Sequence, residues 1–336
     1  MTLKALVTGG GGFIGSFVVE QLLQRGDSVT VFARGDYPQL AASGARVIRG
    51  DVQDAAAITE ACAGHDIVFH IAAKAGIWGT WESFYGPNVA GTENVIAACH
   101  AQGISRLVYT SSPSVVFDGH PQEGVDETVA YPQHYESLYA RAKSIAEQRV
   151  LAANGQGGLL TVSLRPHFVF GPRDTHITLG LIERARAKKM MQVGLDTVKK
   201  DLSYVEDVAW AHLLAADALQ PGSPLAGSAY FISQGEPVLF WQWVADLLQA
   251  LGLPGIQRKI PLGLAQTVGT GMEWVYRVLP LRGEPLLTRF LVNEMGQSQY
   301  YSIERARRDF GYVPRYTIAQ ALEKTVAYWR ERLAAS

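Results

Sequence analysis

Cysteine is scarce in this chain of 336 residues, which contains only Cys62 and Cys99. Two cysteines cannot form the disulfide framework of a small secreted protein, and their spacing is not that of a metal site, so we expect no metal centre. Both fall in segments whose pattern predicts helix, and we interpret them as packing residues. Because the N-terminus also lacks the pattern of a signal peptide, we expect a cytoplasmic protein.

The chain also has no excess of positive or negative charge. The 30 Lys and Arg residues nearly balance the 31 Asp and Glu residues, which argues against nucleic acid or another polyanion as a partner. The most apolar late stretch, residues 260–281, is interrupted by Gln266, Glu273 and Arg277. We therefore predict no transmembrane segment, although this stretch is compatible with contact at a membrane surface.

What the sequence does contain is an alternation of short β-branched runs with longer helical patterns through its first third. This alternation is typical of βαβ units and predicts an α/β fold, a Rossmann-type doubly wound parallel sheet. The candidate strands cover residues 5–8, 28–33, 46–49, 67–70, 106–110 and 161–165.

Beyond Pro172 the pattern becomes less regular. It predicts a basic helix near residues 182–191, a helix that begins around Glu206, and a strand at 229–232 that rejoins the sheet.

The length of the chain predicts more than one compact unit. We expect an NADP-binding Rossmann domain of residues 1–172, rejoined by about 204–235. The rest forms a smaller, discontinuous C-terminal lobe for substrate, made of about 173–203 and 236–336.

The first candidate strand leads directly into a glycine loop, in which Gly9, Gly12 and Gly15 have the spacing Gly-x-x-Gly-x-x-Gly. The first glycine permits a tight turn, the second lets the backbone approach a pyrophosphate, and the third allows helix and strand to pack closely. The helix that follows offers unpaired N–H groups in its first turn, where we place Phe13 and Ile14. The loop therefore predicts a dinucleotide site.

The end of the second strand indicates which dinucleotide binds. Selectivity for NAD normally requires an acidic residue there, about 20 residues after the loop, to accept from the ribose 2′-OH. This chain has Ala33 and Arg34 instead, and a guanidinium suits a 2′-phosphate. We predict NADP(H). After the third strand, Asp51 either accepts from the adenine amino group or caps a helix, and Val52 belongs to the same pocket.

Tyr139 and Lys143 are four residues apart in a helical stretch, so their side chains leave the same face. A nearby ammonium lowers the pKa of a phenol, at about 1.4 kcal/mol per unit. Tyr139 is therefore the candidate proton donor to a ketone oxygen during hydride transfer, while Lys143 also bonds the nicotinamide ribose. The polar run at 109–114, at the end of the fifth strand, supplies candidates for a second donor.

Together these motifs resemble the extended short-chain dehydrogenase/reductase superfamily. The glycine loop, His-x-Ala-Ala at 70–73, Asn-Val-x-Gly-Thr at 88–92 and Tyr-x-x-x-Lys occur in the order typical of that superfamily. Leu-Arg-Pro at 164–166 and Tyr-Val-Glu-Asp-Val at 204–208 continue the pattern.

The resemblance implies further site residues. Ser112 becomes the third catalytic residue, with Ser111 and Ser114 as alternatives and Ser114 also as a candidate for substrate contact. The other implied residues contact the cofactor: Ala72, Ala73 and Asn88 along its channel, and Pro166, Phe168 and Val169 at the nicotinamide.

Within the superfamily, residues 109–117 resemble the branch of 3β-hydroxysteroid and sterol-carboxylate dehydrogenases. More narrowly, the stretches at 72–79, 146–154, 281–285 and 307–314 resemble the bacterial 2-alkyl-3-oxoalkanoate reductases of long-chain olefin biosynthesis. This resemblance implies that NADPH reduces a lipid-like 2-alkyl-3-keto acid, made from two fatty acyl chains, to the 2-alkyl-3-hydroxy acid. It also implies the other enzymes of that pathway as partners.

Two features of the residues bear on such a substrate. A carboxylate needs a cation, for which Lys74 is the first candidate and Arg173 and Arg289 are weaker ones, the alternative for Lys74 being a solvated side chain. Two alkyl chains need an apolar trough, and the C-terminal part has an apolar set that forms either this trough or ordinary core. Its members are Phe240, Trp241, Trp243, Leu262, Leu264, Met272, Trp274, Tyr276, Phe290 and Leu291.

Steroid or sterol dehydrogenation is the strongest rival function, because the serine motif does not separate it from keto acid reduction. A sugar-nucleotide dehydratase is disfavoured, because Pro113 and Ser114 stand where that class has an acidic pair, and Arg34 disfavours an NAD-retaining epimerase. A non-enzymatic NADP-sensing regulator would not need a complete catalytic set. By analogy with the superfamily, we expect a homodimer formed by helices near 94–99 and 144–151.

Overall fold

A computed structural model of the chain describes residues 2–279 and 283–334. Its strands are β1 (Lys4–Thr8), β2 (Ser28–Ala33), β3 (Arg46–Arg49), β4 (Ile67–His70), β5 (Arg106–Thr110), β6 (Gln122–Val125), β7 (Leu160–Pro166), β8 (Val169–Phe170), β9 (Met191–Val193), β10 (Lys199–Lys200), β11 (Ser203–Tyr204), β12 (Ser228–Ile232), β13 (Val238–Leu239), β14 (Arg258–Ile260) and β15 (Gln299–Tyr301). Its helices are α1 (Phe13–Arg25), α2 (Pro38–Ala42), α3 (Ala55–Cys62), α4 (Trp81–Tyr85), α5 (Gly91–Ala101), α6 (Leu138–Ala152), α7 (Thr178–Arg186), α8 (Val205–Ala218), α9 (Phe240–Ala250), α10 (Leu262–Val278), α11 (Arg289–Gly296), α12 (Glu304–Phe310) and α13 (Ile318–Ala334). Positions 281 and 282 of the stretch at 281–285, and the last two residues of the predicted lobe, lie outside the described residues.

Seven of the strands form one parallel sheet in the order β12-β7-β5-β4-β1-β2-β3. These are the seven predicted strands, and their ends differ from the predicted ones by at most one residue. The last of them, β12, pairs with β7 from Ser228 to Ile232, so it rejoins the sheet as predicted. The strand order reverses between β1 and β4, and ligands of doubly wound sheets bind beyond the carboxyl ends of the strands at such a point.

Both faces of the central sheet are buried, which explains why its strands are apolar runs. Successive residues of a strand face opposite sides. In β1, Ala5 and Val7 face one apolar core, which includes residues of α1 and α8. Leu6 faces a second core, in which Cys62 and Cys99 are fully buried between α3 and α5. Both cysteines therefore pack as the sequence suggested.

The predicted basic helix at 182–191 was placed too late in the chain. The helix begins at Thr178, because the carboxylate of Asp174 accepts hydrogen bonds from three successive backbone N–H groups, at 2.7–3.1 Å, and so fixes its first turn. It ends before Lys188, whose φ of +54° is left-handed. Met191, predicted as its last residue, instead begins β9.

A second sheet of four strands has the order β13-β10-β15-β6. In it, β6 of the predicted cofactor domain pairs with β15 of the predicted substrate lobe. The two parts thus share a sheet, and the division into two domains stays a prediction. None of the helices within the described residues combines the length and the apolar character that crossing a bilayer requires.

Candidate active site

The glycine loop joins β1 to α1 at the point where the strand order reverses. Gly9 has a φ of +69°, and a Cβ at this position would lie 2.7 Å from the backbone of Ala72. A Cβ on Gly15 would lie 2.2 Å from the carbonyl oxygen of Gly9. Neither position accepts a larger residue without moving backbone, which matches the turn and the close packing expected from the sequence.

A groove of about 330 Å³ extends from the loop along the carboxyl ends of the central strands. The structure brings most of the predicted cofactor and catalytic residues to this groove. Those that line it are Gly9, Gly12, Phe13, Ile14, Gly15, Arg34, Asp51, Val52, Ala72, Ala73, Lys74, Tyr139 and Lys143.

Sequence reasoning missed some residues of the groove, among them Tyr37, Pro87 and His176. The ring of Tyr37 lies on the glycine loop, where a Cβ on Gly11 would come within 2.1 Å of it. Gly11, which has no role in the Gly-x-x-Gly-x-x-Gly spacing, thus leaves room for this ring. Gly11 itself was the sequence feature that pointed to a close contact, but it did not indicate which side chain packs against the loop.

At the far end of the groove lie the residues expected to recognise the adenosine. The side chain of Arg34 is exposed, and within the described residues no carboxylate lies within 4 Å of it. Asp51 accepts a hydrogen bond from the backbone N–H of Gln53 (3.0 Å), whereas Asp54 caps α3. The alternative that Asp51 caps a helix is therefore wrong.

Four predicted cofactor residues do not line the groove. Asn88 is buried and holds the backbone of Lys74 from both sides, through bonds of 2.7 and 3.0 Å. Asn88 therefore fixes the backbone of the segment that follows β4. Pro166 ends β7, Val169 begins β8, and Phe168, with a φ of +41°, packs its ring against α9. Contact of these residues with a nicotinamide remains a prediction.

Lys143 projects from α6, which Ser137 caps at its N-terminus. The side chain is 2% exposed, and its Nζ donates to the carbonyl oxygen of Thr110 at 2.6 Å. Burial lowers the pKa of Lys143 to about 7, although the negative charge of Glu147 opposes this. The ammonium is thus fixed at the end of β5, directly beside the groove.

The side chain of Ser112 lies near enough to the hydroxyl of Tyr139 to lower its pKa slightly. Burial and, to a smaller extent, the negative charge of Glu294 raise the pKa of Tyr139 to about 12. The expected lowering by Lys143 is therefore not what this structure shows, because desolvation of the phenolate dominates. A phenol with so high a pKa keeps its proton at neutral pH, as a proton donor must.

The three candidate serines occupy different environments at the end of β5. Ser112 caps a short 3₁₀ turn, and its oxygen accepts from the backbone N–H and the hydroxyl of Ser114, at 3.2 and 2.9 Å. Its own proton is left to donate elsewhere. Ser111 is buried and lines the groove, and its Oγ has no hydrogen-bond partner in the part of the chain that the structure describes. Of the three serines, only Ser112 affects the pKa of Tyr139, and its catalytic role remains a prediction.

A nicotinamide dinucleotide fits this groove by two criteria. The glycine loop leaves backbone N–H groups of α1 uncovered where a pyrophosphate needs them. Beside Lys143, the buried hydroxyl of Ser111 lacks a partner within residues 2–279 and 283–334, which is costly unless a ligand supplies one. Phosphate recognition and a polar nicotinamide end thus belong to one groove.

The candidates for binding a substrate carboxylate differ in their availability. Arg173 forms a bidentate pair with Glu20 (2.5 and 2.9 Å), and Arg289 pairs with Glu273 (3.4 Å). Lys74 lines the groove with its Nζ 4.9 Å from the centre of the Phe84 ring. Of these three cations, Lys74 alone has no carboxylate within 4 Å among the described residues.

The apolar set that was expected to form a trough is divided by the structure. Phe240, Trp241 and Trp243 are fully packed into the main core and cannot form a wall. Leu264 and Trp274 are instead on the surface, 55% and 65% exposed. The set therefore consists mainly of ordinary core and surface residues.

Comparison with known proteins identifies the family of the chain. Residues 6–262 match the 3-beta hydroxysteroid dehydrogenase/isomerase family. The chain is 47% identical over 327 residues to a 2-alkyl-3-oxoalkanoate reductase of Stenotrophomonas maltophilia, covering 97% of this chain and 99% of the relative. It is 35% identical over 338 residues to a 3-beta-hydroxysteroid dehydrogenase of Mycolicibacterium neoaurum, covering 98% and 92%.

The fold is shared with solved structures. The crystal structure of MoeE5 in complex with UDP-glucose and NAD superposes with a TM-score of 0.76 at 25% identity, covering 98% of this chain and 99% of that one. The fold, the residues that line the groove and the similar proteins all indicate the same class of enzyme. The chain belongs to the 3-beta hydroxysteroid dehydrogenase/isomerase family and is an oxidoreductase that acts on hydroxyl groups with a nicotinamide dinucleotide.

Proposed function

We propose that the protein uses NADPH to reduce a 2-alkyl-3-oxoalkanoic acid to the 2-alkyl-3-hydroxyalkanoic acid in olefin biosynthesis. The observation that carries the proposal is the 47% identity, over nearly the full length of both chains, with a reductase of that name. The placement of Tyr139 and Lys143 on one groove with the glycine loop supports it. Steroid dehydrogenation is the second candidate, supported by the relative that is 35% identical.

In this proposal each catalytic side chain has a separate task. NADPH, when bound, supplies the hydride for the ketone carbon. Tyr139 gives its proton to the ketone oxygen as negative charge develops there, and Ser112 donates a hydrogen bond to the same oxygen. Lys143 holds the nicotinamide ribose and favours the phenolate that remains. The effect of Ser112 on the pKa of Tyr139 supports this arrangement, because both donors must lie near one shared acceptor.

Arg34 is proposed to select NADPH by binding its 2′-phosphate. Loss of a charge-assisted, bidentate contact costs about 1.5–3 kcal/mol, or roughly 10- to 100-fold. We therefore expect Arg34→Ala to lower kcat/KM for NADPH by about that factor and to leave kcat/KM for NADH within about twofold. Steady-state kinetics with both cofactors measure the effect.

Arg46, an exposed arginine at the opposite end of β3 from the groove, gives the matched control. Arg46→Ala should change neither value. Equal use of NADH and NADPH by the wild-type enzyme, or an Arg34→Ala variant that still prefers NADPH, would contradict the assignment.

Substrate identity is tested by comparing two ketones in one assay. NADPH oxidation is followed with a synthetic 2-alkyl-3-keto acid and, in parallel, with a 3-keto steroid. We expect kcat/KM for the keto acid to exceed that for the steroid by at least about 100-fold, since a mismatch of one methylene in an apolar pocket already costs about 10- to 200-fold. A higher value for the steroid would establish the second candidate instead.

We also propose partners for the protein. A homodimer would form through α5 and α6, which lie side by side and are joined by the ion pair between Glu93 and Arg149 (3.2 Å). Because the keto acid is made by condensing two acyl chains and the hydroxy acid is consumed further, other enzymes of olefin synthesis are the expected associates.

A further inference from the structure

Lys200, in β10, is a buried cation that the proposed chemistry does not use. Its side chain has no exposed surface, and its Nζ donates to the side-chain oxygen of Gln299 at 2.9 Å. No carboxylate within the described residues lies within 4 Å of this ammonium. The side-chain nitrogen of Gln299 is buried as well and has no hydrogen-bond partner among the described residues. Two donor groups are therefore buried together with little to accept their protons, an arrangement that is costly unless an anion binds.

The neighbouring carboxylate is not available to Lys200. Asp201 forms a short contact with the Nδ1 of His167 through one oxygen and accepts from the backbone N–H of Tyr301 (3.1 Å) through the other. Among the carboxyl groups, Glu294 of α11 has the strongest charge interaction with Lys200. The charge of Glu294 acts on Tyr139 as well. Glu294 therefore acts on both Lys200 and the catalytic phenol, and the Nζ of Lys200 lies 5.5 Å from the centre of the ring of Phe168, a residue expected at the nicotinamide.

Helix α11 is fixed against both catalytic segments. The ring of Phe290 packs edge-on against Phe117, just beyond the serine turn, with centroids 6.3 Å apart. Asn293 donates to both carboxylate oxygens of Glu136 at 2.9 Å, directly before the cap of α6. Glu294 directly follows Asn293 in α11. The helix that carries Glu294 is therefore held to the segment after the serine turn and to the segment before α6.

We propose that Lys200 binds the carboxylate of the substrate, with the Nε2 of Gln299 as a second donor. The inference rests on the proposed function, since it requires a keto acid. In such an acid the carboxyl carbon and the ketone carbon share one neighbour, so a carboxylate must lie beside the oxygen that Tyr139 protonates. Lys143, the buried cation on the helix of Tyr139, is engaged with Thr110 at the cofactor groove.

Protonation can remove the negative charge of Glu294 that acts on Lys200. Burial raises the pKa of its carboxyl group, so it accepts a proton more readily than an exposed glutamate when a second carboxylate arrives. A protonated Glu294 would then donate a hydrogen bond to the substrate. Lys74, the cation expected from the sequence, lies on the cofactor groove instead, above the Phe84 ring.

The test uses the oxidation direction, because a β-hydroxy acid does not lose carbon dioxide spontaneously. The wild-type enzyme and Lys200→Met are assayed with NADP⁺ and either a 2-alkyl-3-hydroxyalkanoate or its uncharged methyl ester. We expect Lys200→Met to raise KM for the acid by about 10- to 100-fold and to leave KM for the ester within about twofold. Lys199→Met, at the adjacent exposed lysine of β10, should change neither value, and Lys200→Arg should keep the preference for the acid.

The possible outcomes separate the two proposals. A wild-type enzyme that oxidises the ester but not the acid would overturn both the proposed function and the role of Lys200. A wild-type enzyme that prefers the acid, with the same preference in Lys200→Met, would overturn the role of Lys200 alone. Loss of the preference in Lys74→Met but not in Lys200→Met would do the same and would assign the carboxylate to Lys74. Equal losses for acid and ester in a folded Lys200→Met variant would show a structural role.

Discussion

Replacing Tyr139 with Phe is expected to lower kcat by about 1,000-fold or more while the Kd for NADPH stays within about twofold. The change removes one oxygen and with it the proton that the ketone oxygen must receive, and general acid catalysis supplies about 100- to 10,000-fold. It leaves the glycine loop and the rest of the groove unaltered. Stopped-flow measurement of hydride transfer and fluorescence titration of NADPH give the two quantities.

A second tyrosine provides the matched control for this experiment. The hydroxyl of Tyr135 donates to the Oγ of Ser144 on α6 at 2.6 Å and lies outside the groove. Tyr135→Phe should cost about 1 kcal/mol of stability and retain most of the turnover. If Tyr139→Phe were as active as Tyr135→Phe, the enzyme would not use Tyr139 as its acid, and a regulatory function would regain support.

Replacing Lys143 with Met is expected to lower kcat by about 100-fold and to weaken NADPH binding. The variant loses the ammonium that bonds the ribose and stabilises the phenolate. It should not unfold, because the buried ammonium is bonded to the single carbonyl oxygen of Thr110, and a buried charge of this kind stabilises little. Thermal unfolding should therefore show an unchanged or higher Tm.

The pH dependence gives a separate test of Lys143. Because burial lowers its pKa to about 7, the ammonium is present below this pH and is lost as the pH rises through it. We expect kcat/KM for NADPH in the wild-type enzyme to fall above about pH 7, and this decline to be missing in Lys143→Met. An identical decline in both proteins would assign the titration to another group.

The sequence was sufficient for the framework of the fold. β-branched runs buried on both faces marked the strands, and Gly9 and Gly15 marked a loop where only glycine fits beside neighbouring backbone. These signals are local, because each depends on a few consecutive residues. The start of α7 was missed, since it depends on one carboxylate, Asp174, that caps three N–H groups before the apolar pattern begins.

Patterns of a few consecutive residues did not predict the electrostatics of the site. The spacing of Tyr139 and Lys143 suggested a lowered phenol pKa, but burial dominates, and Glu294 adds its charge from a helix near the C-terminus. Lys200 lies in a strand of two residues whose partners are distant in the sequence. No periodicity marks so short a strand, so no pattern could indicate that this lysine is buried against Gln299.

The most direct test of the account is the fate of a deuterium atom. The enzyme is incubated with NADPH that carries deuterium on the transferred position of the nicotinamide, together with a synthetic 2-alkyl-3-keto acid, and the product is identified by mass spectrometry. We predict a 2-alkyl-3-hydroxy acid that keeps its carboxyl group and carries one deuterium at the hydroxyl-bearing carbon. A product without deuterium at that carbon, or no product under conditions in which a 3-keto steroid is reduced, would contradict the account.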